Sequence, residues 1–203
     1  MKIVVIGASG LIGSAVAKAL SSRHEVVSAS RKSADHPTDI TDAASIARLF
    51  DKVGKFDAIV SVAGGAAYKP LTELTDEDYA FSIGYKLMGQ VNVARLALPH
   101  LNDGGSITLT TGVFAEAPPP NAAAIAMVNR GVDGFVIGAA RELPRGIRIN
   151  AVSPPFVGKF ALNAFKSVVD SQTPEDTAYG YIEAVEGHAS GTVIDTRPYT
   201  RFV

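Results

Sequence analysis

The sequence predicts an α/β protein, with a doubly wound parallel sheet carrying helices on both faces. Three observations carry that expectation. Short β-branched runs alternate along the whole chain with stretches whose apolar residues recur at helical spacing. The first run, Ile3-Val4-Val5-Ile6, is apolar throughout, as a strand buried on both faces of a parallel sheet must be. The 203 residues are 47% hydrophobic and 19% charged, which suits one ordinary core and a single domain over residues 1–203.

The elements follow in order. Gly7 closes the first strand, and from Leu11 the positions Leu11, Ile12, Ala15, Val16, Ala19 and Leu20 line one helical face. His24 to Ala29 reads as a second strand, Asp42 to Val53 as a helix and Phe56 to Val62 as a strand. A long helix is expected around Thr75 to Leu101, then a strand from Ser106 to Thr111 and a helix around Asn121 to Leu143. Strand Ile147 to Val152, helix Pro174 to Glu186 and a last strand near Thr192 to Ile194 complete the series. Ala117-Pro118-Pro119-Pro120 reads as a turn ahead of a helix, because proline is tolerated at a first helical turn. Glu73, Asp76, Glu77 and Asp78 sit where a helix dipole favours acidic groups, so they are read as capping rather than catalytic.

Composition narrows the chemistry. There is no cysteine, which excludes disulfides, thiolate catalysis and Cys-ligated zinc. Nineteen Lys plus Arg against 20 Asp plus Glu leave a net charge of -1 and no basic stripe, so neither a nucleic acid nor an anionic membrane is an expected partner. The apolar run after Lys2 ends after four residues, too few for a signal peptide or a span, and a cytoplasmic location is expected. His24, His36, His100 and His188 are scattered without metal-ligand spacing, and no metal is expected. No GxSxG elbow, HExxH pair or P-loop lysine occurs.

The turn Gly7-Ala8-Ser9-Gly10-Leu11-Ile12-Gly13 places a glycine at every third position between a buried strand and an amphipathic helix. Backbone there can approach a pyrophosphate, and helix N-terminal N–H groups favour the anion.

This loop resembles the nucleotide loop of the short-chain dehydrogenase/reductase family, in the GxxGxxG spacing of its atypical members. Asp39-Ile40-Thr41-Asp42 resembles the DxTD stretch beside the adenine, and Ser61-Val62-Ala63-Gly64 resembles NNAG. Pro70-Leu71-Thr72 to Asp78 is similar to the family's PL..LT.ED segment. Arg148-Ile149-Asn150-Ala151-Val152-Ser153-Pro154-Pro155 is similar to R-x-N-x-V-x-P-G, with proline for the last glycine. The likeness covers about residues 1 to 157, and the substrate lid expected after Val157 is shorter than is usual. It implies a Rossmann-like sheet of about seven strands and a dinucleotide held by Gly7, Ser9, Gly10, Leu11, Ile12 and Gly13, by Ser30, Arg31, Asp39 and Ile40, and by Ala63, Gly64 and Gly65. At the nicotinamide end it implies Asn129, Pro154, Phe156 and Val157.

An NAD-binding member would close the second strand with an acidic residue; here Ser28-Ala29-Ser30-Arg31-Lys32 offers none. A basic residue there suits the 2′-phosphate of NADP, so NADP is the expected cofactor, although Arg31 and Lys32 could also simply solvate a loop. Family members protonate a carbonyl oxygen with a Tyr, assisted by a Lys four residues later and by a Ser and an Asn. Aligned here, the Tyr position falls on Ile125, the Lys position on Asn129, the Ser position on Thr111 or Gly112 and the Asn position on Lys86. The usual proton donor is missing. Two readings stay open: an NADP-dependent oxidoreductase with Lys86, Thr111 and Asn129 as its site, acting on a small carbonyl or alcohol, and an NADP-binding sensor without turnover. Tyr68, Phe114 and Phe156 are expected around an apolar or aromatic substrate. Val91, Leu96 and Leu98, with Val132, Phe135 and Ile137, make the two long helices apolar on more than one face, and a homodimer or homotetramer is expected.

Overall fold

The computed structural model describes residues 1–33, 35–157 and 171–199. The short lid expected beyond Val157 falls, as far as residue 170, outside the described residues. Six strands form one parallel sheet: β1 (Lys2–Ile6), β2 (Glu25–Ala29), β3 (Phe56–Ser61), β4 (Leu101–Thr110), β5 (Arg148–Ser153) and β6 (Val193–Asp195), in the order β2-β1-β3-β4-β5-β6. About seven were expected. Beyond β2 the edge is a single bridge: the Ser30 N–H donates to the His36 carbonyl at 3.3 Å and the Thr38 N–H to the Ser30 carbonyl at 3.1 Å. Pro37 between them has no N–H, which suits an outermost position but extends no ladder.

Helices α1 (Leu11–Ser21) and α6 (Pro174–Glu186) cover one face; α2 (Ala43–Val53), α4 (Gly89–Ala97) and α5 (Ala123–Ala139) cover the other. The period-2 alternation of strands divides the core accordingly. Val4, Ile6, Ile59, Ile107, Leu109 and Ile149 pack with Phe50, Val93, Val132 and Val136, whereas Ile3, Val5, Ala58, Val60 and Val152 pack with Val16, Leu20, Ala178 and Tyr181. Val132 is thereby committed to the core and leaves the outward face of α5 to residues such as Ile137, which is 52% exposed.

Local chemistry sets the boundaries. Asp42 caps α2 by accepting the Ala44 N–H, and Thr75 and Asp78 form a capping box at α3 (Asp76–Ser82), so the acidic group does act on a helix start. The long helix expected to reach Leu101 instead ends at Ala97. Pro99 cannot continue it, and β4 starts at Leu101. Within that helix, Ile83–Met88 widens into a π-turn between α3 and α4. Helix α5 spans less than Asn121 to Leu143: Asn121 takes a left-handed conformation (φ 72°), a turn geometry asparagine tolerates, and the chain leaves the helix at Ala140 before Pro144. His24 meets Glu186 at 3.0 Å and His100 stacks on Phe56; among the described residues no cluster of His, Asp or Glu could hold a metal ion. No helix among them is long and apolar enough to cross a membrane.

Tyr181 joins the α6 layer to the strand ends. It is fully buried and its hydroxyl lies 2.8 Å from Thr110 Oγ1, which also donates to the Ser61 carbonyl at 2.6 Å. Removing only the hydroxyl (Tyr181→Phe) should cost about 1 kcal/mol, while Tyr181→Ala should cost about 3 to 5 kcal/mol in urea unfolding. Equal losses would mean that the ring fills no tightly packed space.

Candidate functional site

At the carboxyl end of β1 the glycine turn is packed backbone on backbone. Gly7 adopts φ +90°, its N–H donates to the Ala29 carbonyl at 2.8 Å, and its carbonyl accepts the Gly10 N–H at 2.9 Å. A Cβ on Gly7 would stand 2.9 Å from the Ala63 nitrogen and the Val62 carbonyl carbon, and one on Gly13 would overlap the Gly7 carbonyl. Gly10 caps α1 without a side chain, so the positive end of the helix dipole opens directly on the cleft above the sheet.

The cleft runs along the strand ends in three connected parts. The outer part, about 340 Å³, is lined by Gly7, Ser9, Gly10, Ser30, Arg31 and Ile40, and also by Lys32, Thr38, Ala63, Gly64 and Tyr85. Arg31 lies over the Tyr85 ring, 5.3 Å from its centroid. Asp39 is held away from this space: its carboxylate accepts the Thr41 N–H at 2.9 Å and hydroxyl at 2.8 Å, and these bonds hold its pKa below the ordinary value. Thr38 and Ile40 on either side face the cleft in its place. The middle part, about 350 Å³, lies between Leu11, Ile12 and Gly13 on one side and Pro154, Phe156 and Val157 on the other.

The inner part, about 250 Å³, brings together Gly64, Gly65, Lys86, Thr111, Gly112, Ile125, Asn129 and Pro154 with the aromatic pair Phe114 and Phe156, whose rings meet edge to face at 4.8 Å. The π-turn delivers Lys86, whose stem crosses Gly64; a Cβ there would lie 2.9 Å from Lys86 Cδ. Its ammonium donates to the Thr111 carbonyl at 3.3 Å. Ile125 and Asn129, one turn apart on α5, share the face turned to this space. The Asn129 amide donates to the Gly112 carbonyl at 3.4 Å, leaving its buried Oδ1 without a hydrogen-bond partner.

Two expectations need correction. The Thr111 hydroxyl has partners within the protein, the Asn129 carbonyl at 3.1 Å and the Asp133 carboxyl, where a substrate oxygen was expected. Tyr68 does not line the inner part; its hydroxyl donates to the Pro120 carbonyl at 3.0 Å. Lys32, Thr38 and Tyr85 entered the cleft without being assigned to the site from sequence. The Ser30 bridge to the 36–38 segment explains Thr38, and no local pattern marks Tyr85.

The chain is similar to several known proteins. The family described as enoyl-(acyl carrier protein) reductase matches residues 7–179. The crystal structure of the protein lin1944 from Listeria innocua is 44% identical with a TM-score of 0.92, over 96% of this chain and 98% of that one. A small-chain dehydrogenase in complex with NADPH is 27% identical with a TM-score of 0.87, over 96% and 95%. The hydroxynaphthalene reductase-like protein Arp2 of Metarhizium majus is 31% identical over 176 residues, 74% of this chain and 66% of that protein. The matched stretches span 46% to 66% of the lengths of the Metarhizium relatives, about half to two-thirds.

Electrostatics single out two groups. Desolvation lowers the Lys86 pKa from 10.5 to about 8, with the charge of Asp133 opposing the shift. Burial raises the Asp133 carboxyl, whose Oδ1 lacks a hydrogen-bond partner and whose Oδ2 lies 3.7 Å from Arg130. The folded protein thus holds the Lys86 proton less tightly than the unfolded chain, which binds more protons between about pH 8 and pH 10.5, so folding gains as pH rises through that window. Relative to Lys86→Met, the unmutated protein should gain about 1 kcal/mol or more of stability between roughly pH 7 and pH 10 in urea unfolding. No relative gain would mean that the ammonium is solvated.

Proposed function

The chain belongs to the short-chain dehydrogenase/reductase family, and on that premise we propose that it is an NADP(H)-dependent oxidoreductase that reduces a carbonyl compound and uses Lys86 where relatives use a tyrosine. The observation that carries the proposal is Lys86, the one cationic side chain among the described residues lining the inner cleft, which it lines together with Asn129 and Ile125.

The chain's groups fit a dinucleotide. The glycine turn presents bare backbone to the cleft as a pyrophosphate requires, and a Cβ at Gly7 or Gly13 would strike the backbone of Val62, Ala63 or Gly7 and force that turn apart. Arg31, Lys32, Ser30 and Thr38 surround the place where a 2′-phosphate would need cations and hydroxyls. The unpartnered Asn129 Oδ1 offers an acceptor for a ribose hydroxyl or a carboxamide N–H. The dinucleotide, when bound, supplies the hydride. Lys86 donates a hydrogen bond to the substrate carbonyl oxygen, draws charge onto it, and transfers its proton as the oxygen becomes an alkoxide. The resulting neutral amine regains a proton from solvent. Phe114, Phe156, Ile125 and Pro155 make the surrounding wall apolar, which favours an aromatic or otherwise flat carbonyl compound. The Metarhizium relatives, named for hydroxynaphthalenes, support that choice.

A second reading, dinucleotide binding without turnover, draws on Ile125, which has no proton to give, and on the committed Thr111 hydroxyl. One series of assays separates the two. NADPH oxidation with aromatic ketones should exceed the buffer rate, fall as pH rises through about 8, and drop at least about a hundredfold in Lys86→Met with NADP still bound. Arg31→Ala should weaken NADP at least about tenfold and NAD hardly at all. No turnover with any carbonyl, together with tight NADPH binding, would leave the sensor reading.

We further propose that the chain works as a homodimer or homotetramer. An apolar groove of about 230 Å³ between α4 and α5, lined by Val91, Ala94, Leu98, Phe135 and Leu143, offers a surface for a second copy. Light scattering at micromolar concentration should give a multiple of 21.2 kDa, and a monomeric mass would count against it.

A further inference from the structure

Gln90, one helical turn after Lys86 on α4, is 0% exposed. A primary amide buried in a helix–sheet interface is costly unless its polar atoms are paired, and both ends of this one are. Its Nε2 donates to the Thr110 carbonyl at 2.7 Å and to the Lys86 carbonyl at 3.2 Å, and its Oε1 accepts the Thr110 N–H at 2.7 Å. The side chain therefore pairs with Thr110 as a neighbouring strand would.

The register explains why that pairing is needed. Strands β3 and β4 pair as far as Val60 and Thr108, after which the chain leaves β4 and the Val62 N–H donates to the Ile6 carbonyl at 2.8 Å. On its other side β4 stays paired with β5, the Thr111 N–H donating to the Val152 carbonyl at 2.9 Å. Thr110 is left without a strand on the β3 side, at the point where the chain turns away to open the cleft. Gln90 fills this gap and ties the same atoms to the π-turn.

The contacts close a circuit. The Lys86 carbonyl is held by Gln90, Gln90 holds Thr110, and the carbonyl of the next residue, Thr111, receives the Lys86 ammonium at 3.3 Å. We propose that Gln90 is a positioning residue that fixes where the Lys86 ammonium stands at the inner end of the cleft. This rests on the reading of Lys86 given above. Gln90 itself does not line the cleft and would act only through Lys86. Methionine has a similar length and volume without the amide, so Gln90→Met removes the three hydrogen bonds while keeping the packing.

The test follows Lys86 in two ways. Carbon NMR of protein labelled at lysine Cε, with Lys86→Arg used for assignment, reports the titration of the ammonium without substrate or cofactor. In Gln90→Met that midpoint should move upward from about 8 towards the ordinary 10.5 as the ammonium loses its enclosed place, the charge of Asp133 acting in both proteins. In NADPH oxidation, kcat should fall about tenfold or more, with KM and NADP binding changed less than about threefold. Gln90→Glu keeps an acceptor for the Thr110 N–H but loses both donors. It should show the same direction of change and serves as the readout if the methionine variant fails to fold. A folded Gln90 variant with both the Lys86 midpoint and kcat unchanged overturns the proposal. A shifted midpoint alongside full activity in Lys86→Met would instead overturn the catalytic role of Lys86 and keep the positioning role of Gln90.

Discussion

The site depends on one contact: the backbone of the glycine turn lying against the chain that leaves β3. Gly7 and Gly13 meet, and Gly7 reaches Val62 and Ala63, at distances that leave no room for a Cβ. A side chain at either glycine would push α1 away from the sheet and so displace the helix end that faces the cleft. The same contact draws the chain after Ser61 toward β1 and away from β4, since the Val62 N–H is bonded to Ile6. The parting of β3 and β4 is thus a consequence of how β1 ends. The connections diverge at β1 and β3, since α1 follows β1 on one face and α4 follows β3 on the other, and at such a point a crevice opens at the carboxyl ends of the strands.

Opening a sheet exposes backbone polar groups, and the inner end of the cleft is organised by how they are satisfied. Gln90 takes both groups of Thr110, Lys86 donates to the Thr111 carbonyl, and Thr111 donates its hydroxyl to Asn129. Thr110 reaches across to Ser61 and Tyr181, so both helical layers meet at one strand end. The atoms left over are informative. Asn129 Oδ1 and Asp133 Oδ1 are buried without hydrogen-bond partners, one bordering the cleft and one a turn beyond it on α5.

The sheet and the glycine turn were legible in the sequence because their physics is local. A β-branched run ending in glycine, followed by helical periodicity, has few other solutions, and the six strands lie within a residue or two of their expected bounds except β4, which starts early at Leu101. The limits of α4 and α5 were misjudged because Pro99 and the left-handed Asn121 outweigh apolar periodicity. Lys86 was reached through resemblance rather than pattern, and the π-turn that aims it leaves no mark in composition. Gln90 was invisible for a sharper reason. In sequence it is one more polar residue on a helix, and it matters only because β3 and β4 part beside it. Asp39 is expected beside the adenine only through the resemblance of its segment to a DxTD stretch, and its carboxylate is bonded to Thr41; Tyr68, expected around the substrate, donates its hydroxyl to the Pro120 carbonyl.

Two opposing effects decide what Lys86 can do. Enclosure strips water from the ammonium and favours the neutral amine; the negative charge of Asp133 favours the ammonium. Asp133 is weakened in that contest, because its own burial raises its pKa and Arg130, 3.7 Å away, shares its charge. Desolvation wins, and the amine titrates near 8. An ordinary lysine at 10.5 would stay charged but give up its proton reluctantly, whereas one titrating far below neutrality would have no proton to give. A value about one unit above neutral keeps most molecules protonated and makes the proton readier to leave. The side chain that carries this proton lines the inner cleft beside Ile125 and Asn129, with its ammonium bonded to the Thr111 carbonyl at 3.3 Å.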